Sequence, residues 1–190
     1  MPRKDRLRRV VRLTCDFARN LAYYCAGQRE EYRDLFDPAR NTSANFWRTM
    51  NSNCIDVCVL EWCKLFADAN GKHYWGEIVT DLSGFQAGLL GHLGLEAIAF
   101  RKEVEIMRRY RDKFLAHLDS DYIMNIPVLD VPKKAVWFYH HHIVNREATP
   151  GDLIGLPVQL DGGYEESERE ADAVYRQATT SFRSGGCSGQ

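Results

Sequence analysis

Residues 95–118 read Leu-Glu-Ala-Ile-Ala-Phe-Arg-Lys-Glu-Val-Glu-Ile-Met-Arg-Arg-Tyr-Arg-Asp-Lys-Phe-Leu-Ala-His-Leu. Ile98, Phe100, Val104, Met107, Phe114 and Leu118 recur close to the 3.6-residue period of an α-helix, with no Gly or Pro between them. Similar patterns flank this stretch on both sides. Toward the N-terminus, Gly84, Gly88, Gly91 and Gly94 break the chain into short helical pieces at 73–80 and 84–90, the second capped by Asp81 or Ser83. Before that, a second helix is expected from Ser43, as N-cap, to about Asp68. It carries Phe46, Met50, Cys54, Val57, Cys58, Leu65 and Phe66, and Asn70-Gly71 stops it. A first helix spans about Asp5 to Cys25 on Leu7, Val10, Val11, Phe17, Ala18, Leu21 and Cys25, with Gly27 as its stop and Asp37-Pro38 as a later breaker.

On the C-terminal side a fourth helix starts near Pro132, a residue suited to a first turn, and runs to about Asn145. Gly151 to Gly163 reads as a loop, 165–182 as a polar fifth helix and 184–190 as a flexible tail. Val128–Val131 is too short and too Pro-flanked to build a sheet. The expected fold is all-α: an antiparallel helical bundle of about five main helices in a single domain over residues 1–183.

The chain has 190 residues, 45% hydrophobic and 27% charged, with a net charge of −1. That balance excludes a polycation, but the charge is uneven. Residues 1–12 hold six Arg or Lys against one Asp, residues 101–113 six against three, and residues 161–176 six Asp or Glu against two Arg. Two basic stretches and one acidic one can create a local anion-binding face. The basic start is not followed by an apolar run, so no secretory signal is read, and no stretch has the length of a membrane span. Six cysteines without a Cys-x-x-Cys pair fit free thiols in a reducing cytoplasm.

The chemistry concentrates at Arg111, Asp112 and His117. Arginine offers a rigid fork of donors that matches phosphate oxygens, and histidine gives and takes protons near neutral pH. Those two services are what RNA cleavage without a metal requires. Six residues on an ideal helix leave the two side chains about 120° apart, however. A helix break, the reach of Arg111 or a second copy across a two-fold axis has to bring them together. The plainer reading is a surface arginine and a helix-end histidine that favours the helix dipole.

Arg111-Asp112-x-x-x-x-His117 on the third long helix of a small α-bundle resembles the Arg-x(4–6)-His signature of the HEPN superfamily. In that signature the residue after Arg is Asn, Asp or His. The wider run Tyr110 to Asp119, and Trp75 to Leu90 with its Asp81 and Phe85-Gln-Ala-Gly-Leu-Leu90, is similar to the AbiU-type abortive-infection branch. The similarity covers roughly residues 5 to 145. It implies a metal-independent endoribonuclease acting as a toxin or phage-defence effector, homodimeric, with both motifs facing a shared cleft and an antitoxin protein as a further partner. In that scheme Arg111 clamps the scissile phosphate, Asp112 orients Arg111 or His117, and His117 is the general acid or base. The alternative is a catalytically inactive HEPN module that binds RNA, a nucleotide or a protein partner, as an antitoxin or regulatory subunit does. Some relatives carry a modified Tyr two residues after the His; Asp119 stands there, so this modification is not expected.

Around the motif, Arg108, Lys113 and Arg109, and beyond them Arg101 and Lys102, are candidates to track an RNA backbone, and Tyr110 to stack a base. No cofactor and no metal is expected. Consecutive helical residues such as His140, His141 and His142 point about 100° apart and cannot all converge on one ion. Cys54, Cys58 and Cys63 read as small hydrophobes before they read as zinc ligands. Trp47, Trp62 and Trp75 are expected to anchor the core, and Trp137-Phe138-Tyr139 to serve the core or a dimer face.

Overall fold

A computed structural model describes residues 1–116, 125–149 and 151–185. It contains α1 (Arg3–Gly27), a 3-10 segment (Glu30–Phe36), α2 (Ala44–Phe66), α3 (Trp75–Ile78), α4 (Leu82–Leu93), α5 (Ala97–Tyr110), α6 (Asp130–His142) and α7 (Leu160–Gly185). Wider π-turns continue α5 over Arg111–Ala116 and α6 over Ile143–Glu147. Among the described residues there is no strand, and the architecture is an all-α bundle. No described helix is long and apolar enough to cross a membrane.

Helix α1 forms the axis of the bundle. Leu7, Val10, Val11, Leu13, Phe17, Ala18, Leu21, Ala22 and Ala26 are all buried, as the apolar spacing requires. The exceptions to the expected pattern lie at its edge: Cys25 is exposed. Helix α2 runs antiparallel to α1, because Cys58 Sγ donates to Phe17 O while, earlier in α2, Asn51 Nδ2 donates to Tyr24 O. Trp62, Cys58 and Cys63 are fully buried there, with the Trp62 and Phe66 rings 5.0 Å apart. Phe46 and Met50 are exposed instead of buried, since the buried face of α2 runs through Ala44, Asn51, Ile55 and Cys58. Trp47 joins a second, smaller cluster with Tyr32, Leu35, Ala171 and Tyr175.

Boundaries moved for local reasons. Ser43 occupies the N-cap of α2, but its side chain makes no capping bond; its own N–H donates to Asn41 Oδ1 at 2.9 Å. Asp81 does cap α4, accepting from Gly84 N at 2.9 Å, and Gly94 ends it in the left-handed conformation at φ 64°. Helix α7 starts at Leu160, so part of the expected Gly151–Gly163 loop is helical, and it extends to Gly185 at the start of the expected tail. Leu160 is buried and nucleates this first turn despite Gly162 and Gly163. Helix α5 is less buried than its period implies: Ile98 is 63% and Ile106 49% exposed, because α2 covers only one side.

Four of the six basic residues of the N-terminus are engaged by the fold. Arg6 and Arg8 donate to the carbonyls of Glu77, Asp152 and Ile154, and Lys4 to that of Gly151. Arg3 reaches Ile78 O, Thr80 and the Glu147 carboxylate. The acidic face of α7 is answered by Arg29, whose two Nη atoms donate to Asp172 and Glu168 at 2.7 and 2.6 Å.

Glu147 ties these parts together. Its side chain is 4% exposed and accepts from Thr80 N, Thr80 Oγ1, Arg3 and His142 Nε2. Burial works against its charge, but the donors from Thr80, His142 and Arg3 outweigh it and hold its pKa below the usual value. An unfolded Glu therefore takes up a proton at a higher pH than the folded one. Stability from this group is present at neutral pH and is lost as the pH falls from about 4.5 through the folded value. Glu147→Gln should cost about 2 kcal/mol at pH 7. Its stability should also decline less steeply on acidification than that of wild type. Chemical denaturation at pH 7 and pH 4 measures both; identical curves for the two proteins would remove Glu147 from this role.

Candidate functional site

The motif sits where α5 passes into its π-turn, next to the C-terminus of α2. Single π-turns inserted in α-helices are frequent at functional sites. Arg111 Nη1 donates to Asp68 Oδ1 and its Nε to Asp112 Oδ1 at 2.8 Å. Its side chain is 20% exposed. Burial disfavours its charge, yet the two carboxylates raise its pKa above that of an ordinary guanidinium. Two of its five N–H groups are engaged by these carboxylates, so three remain for an incoming oxygen. Asp112 thus holds Arg111 through its Nε–H. His117 lies outside the described residues, and so does its geometry relative to Arg111.

The neighbours divide. Arg108 Nη2 donates to Ala67 O, the carbonyl that caps the end of α2, where a cation also meets the negative end of the helix dipole. Arg108 is therefore part of the scaffold and not simply a phosphate contact. Tyr110 corrects a further expectation. It is 2% exposed and its hydroxyl donates to Asp56 Oδ1 at 2.7 Å, so its ring is closed to base stacking. Arg109 is exposed and has no polar partner among the described residues; Lys113 is half-buried. Cys63 borders Arg111, but burial pushes its thiol up to about 12, so it is no thiolate nucleophile at neutral pH. Ala67–Gly71 together with Arg108 and Arg111 line an open hollow of about 390 Å³. Asp68, the second partner of Arg111, was not singled out by sequence: it follows α2 by two residues, with no pattern to distinguish it.

A larger cleft of about 860 Å³ opens between α4 and α6. Thr80, Asp81, Phe85, His92, Trp137, Phe138, His141, His142, Asn145, Arg146 and Glu147 line it. The three consecutive histidines separate as helix geometry demands. His140 is buried, with Nδ1 2.7 Å from Thr14 Oγ1 and Nε2 3.3 Å from Val158 O. Burial lowers its pKa, and the Thr14 hydroxyl that contacts Nδ1 also donates to Val11 O at 2.8 Å. His142 faces Glu147, and His141 is exposed. Among the described residues no three His, Cys, Asp or Glu side chains gather as a metal-binding group.

No family model, no curated protein and no solved structure matches the chain.

The division between Arg108 and Arg109 is measurable. Arg108→Ala should lower stability by about 1 kcal/mol, a fall in Tm of roughly 2–4 °C for a chain of this size. Arg109→Ala should leave the melting curve unchanged. Equal melting of all three proteins by scanning calorimetry would show that Arg108 does not hold the end of α2.

Proposed function

We propose that this chain acts on RNA, as a metal-independent endoribonuclease of the toxin or phage-defence kind. The observation that carries the reading is Arg111: a half-buried guanidinium, fixed by two carboxylates at a π-turn, with three N–H groups left over an open hollow. Preorganised cationic donors of this kind stabilise charge that develops on a phosphate in the transition state without reorganising as it forms. His117, six residues on, supplies the proton transfer that 2′-hydroxyl attack needs. The similarity of Arg111-Asp112-x-x-x-x-His117 to the HEPN signature supports the same assignment.

The reading extends to assembly. A two-fold homodimer with residues 108–118 of both copies near the axis presents two arginines and two histidines to one strand. Ile98 and Ile106, exposed on the helix that carries Arg111, are apolar side chains suited to such a contact. Cytoplasmic location and an antitoxin partner belong to the same reading.

A second reading rests on a specific observation. Arg108 and Arg111 both brace the segment that follows α2, and Asp68 and Asp112 balance their charge. A pair with those duties fits a catalytically inactive RNA- or protein-binding module equally naturally.

Cleavage in EDTA separates the two. Wild type should cut single-stranded RNA without added metal and leave a 2′,3′-cyclic phosphate. His117→Ala and Arg111→Lys should each slow cleavage on the order of a hundredfold or more, the latter because an ammonium cannot reproduce the bidentate fork. Both should melt within a few degrees of wild type. Wild-type activity that survives undiminished in His117→Ala from a matched preparation, or no cleavage of any RNA tried, favours the inactive module.

A further inference from the structure

The α4–α6 cleft shares no lining residue with the Arg111 hollow. One wall is aromatic. Phe138 packs on Phe85, its ring 5.3 Å away, and on His92 at 5.4 Å, and Trp137 stands beside it half-exposed. Gly88 permits this approach, since a Cβ there would come within 3.0 Å of the Phe138 ring.

The charges of the cleft are unevenly matched. Its two acids are already engaged: Asp81 by Ser83 and the Gly84 N–H, Glu147 by Arg3, Thr80 and His142. Arg146 and His141 are exposed on the lining, and neither side chain has an ion-pair or hydrogen-bond partner among the described residues. Trp137 is also held by Tyr164, 5.6 Å away, by Lys133 over its ring and by its Nε1–H to Asp161 at 2.7 Å. A cation without a carboxylate, beside this aromatic wall, is complementary to a ligand that joins an aromatic ring to an anion. Arginine's planar fork favours phosphate for the anion. Asn145 favours a nucleobase for the ring: its Nδ2 donates to His141 O, which leaves its Oδ1 to accept from an exocyclic amine. About 860 Å³ lies within the range of small-ligand sites.

We propose that this cleft binds a nucleoside phosphate, with the phosphate on Arg146 and His141 and the base against Trp137 and Phe138. The unit is either a free mononucleotide or one residue of a single strand. Nothing in this assignment depends on Arg111, His117 or RNA cleavage.

Calorimetric titration of the full chain at low salt tests it, with AMP and an all-deoxy single-stranded oligonucleotide as probes. At least one should bind. AMP binding identifies a mononucleotide site; binding of the oligonucleotide alone identifies a strand site. Arg146→Ala should weaken that binding about tenfold or more, and His141→Ala should weaken it several-fold. Arg111→Lys should leave AMP binding within about twofold. Both cleft residues are exposed, and unchanged melting curves will establish that the variants are folded. The proposal is overturned if neither probe binds, if Arg146→Ala binds as wild type does, or if Arg111→Lys alone removes AMP binding.

Discussion

Burial of almost the whole length of α1 is the constraint on which the rest of the structure depends. A helix of 25 residues with eleven of them buried along its length is not covered by a single neighbour. It must be enclosed, and α2, α6 and α7 all pack on it. Phe17 and Leu21 lie in the core, Thr14 meets His140 of α6, and Tyr23 meets Glu170 of α7. The arginines of its first turns then fix the loops at 77–80 and 152–154. Through Arg3 the same helix completes the shell of donors around Glu147, which sits on the border of the α4–α6 cleft.

Once α1 places α2, the end of α2 places the motif. Ala67 and Asp68 meet Arg108 and Arg111, one turn apart on α5. The arrangement exchanges mobility for orientation. A free surface arginine samples many rotamers, whereas Arg111 is held from two sides and offers its remaining donors in one direction. The same two carboxylates cancel much of the positive charge of the hollow. Long-range attraction of any polyanion would have to come from elsewhere, and the uncompensated Arg146 is one such source.

The legible parts of the sequence were those where local pattern and tertiary packing agree. The buried face of α1 follows directly from the spacing of Leu7, Val10, Val11, Phe17 and Leu21. Asp81, one of the two expected caps of α4, is local chemistry and is found, whereas Gly88 and Gly91 lie inside α4 without breaking it. Periodicity reports that a helix is amphipathic but not how many neighbours cover it, so the exposure of Ile98, Ile106, Phe46 and Met50 was hidden. At the site, Arg111 and Asp112 stood out by residue type and adjacency. The burial of Tyr110 was readable in principle, since it follows buried Met107 by three residues, but its basic neighbours drew attention to nucleic acid instead. Asp68 and the aromatic wall of the cleft depend on contacts between distant segments. No spacing within the chain announces them.

Whether Arg111 is held for a ligand or only for the fold is most directly seen at its own side chain. Its Nε–H, bonded to Asp112, gives a distinct resonance in nitrogen-edited NMR, assignable by its loss in Arg111→Lys. An uncleavable single-stranded oligonucleotide, deoxy at the scissile position, is then titrated into the wild-type protein. The account predicts that the Arg111 Nε–H resonance shifts progressively and saturates as phosphate oxygens take up the remaining guanidinium donors. An Arg111 signal that stays in place at oligonucleotide concentrations that saturate binding elsewhere on the protein would contradict it, and would leave Arg111 as a brace for the end of α2.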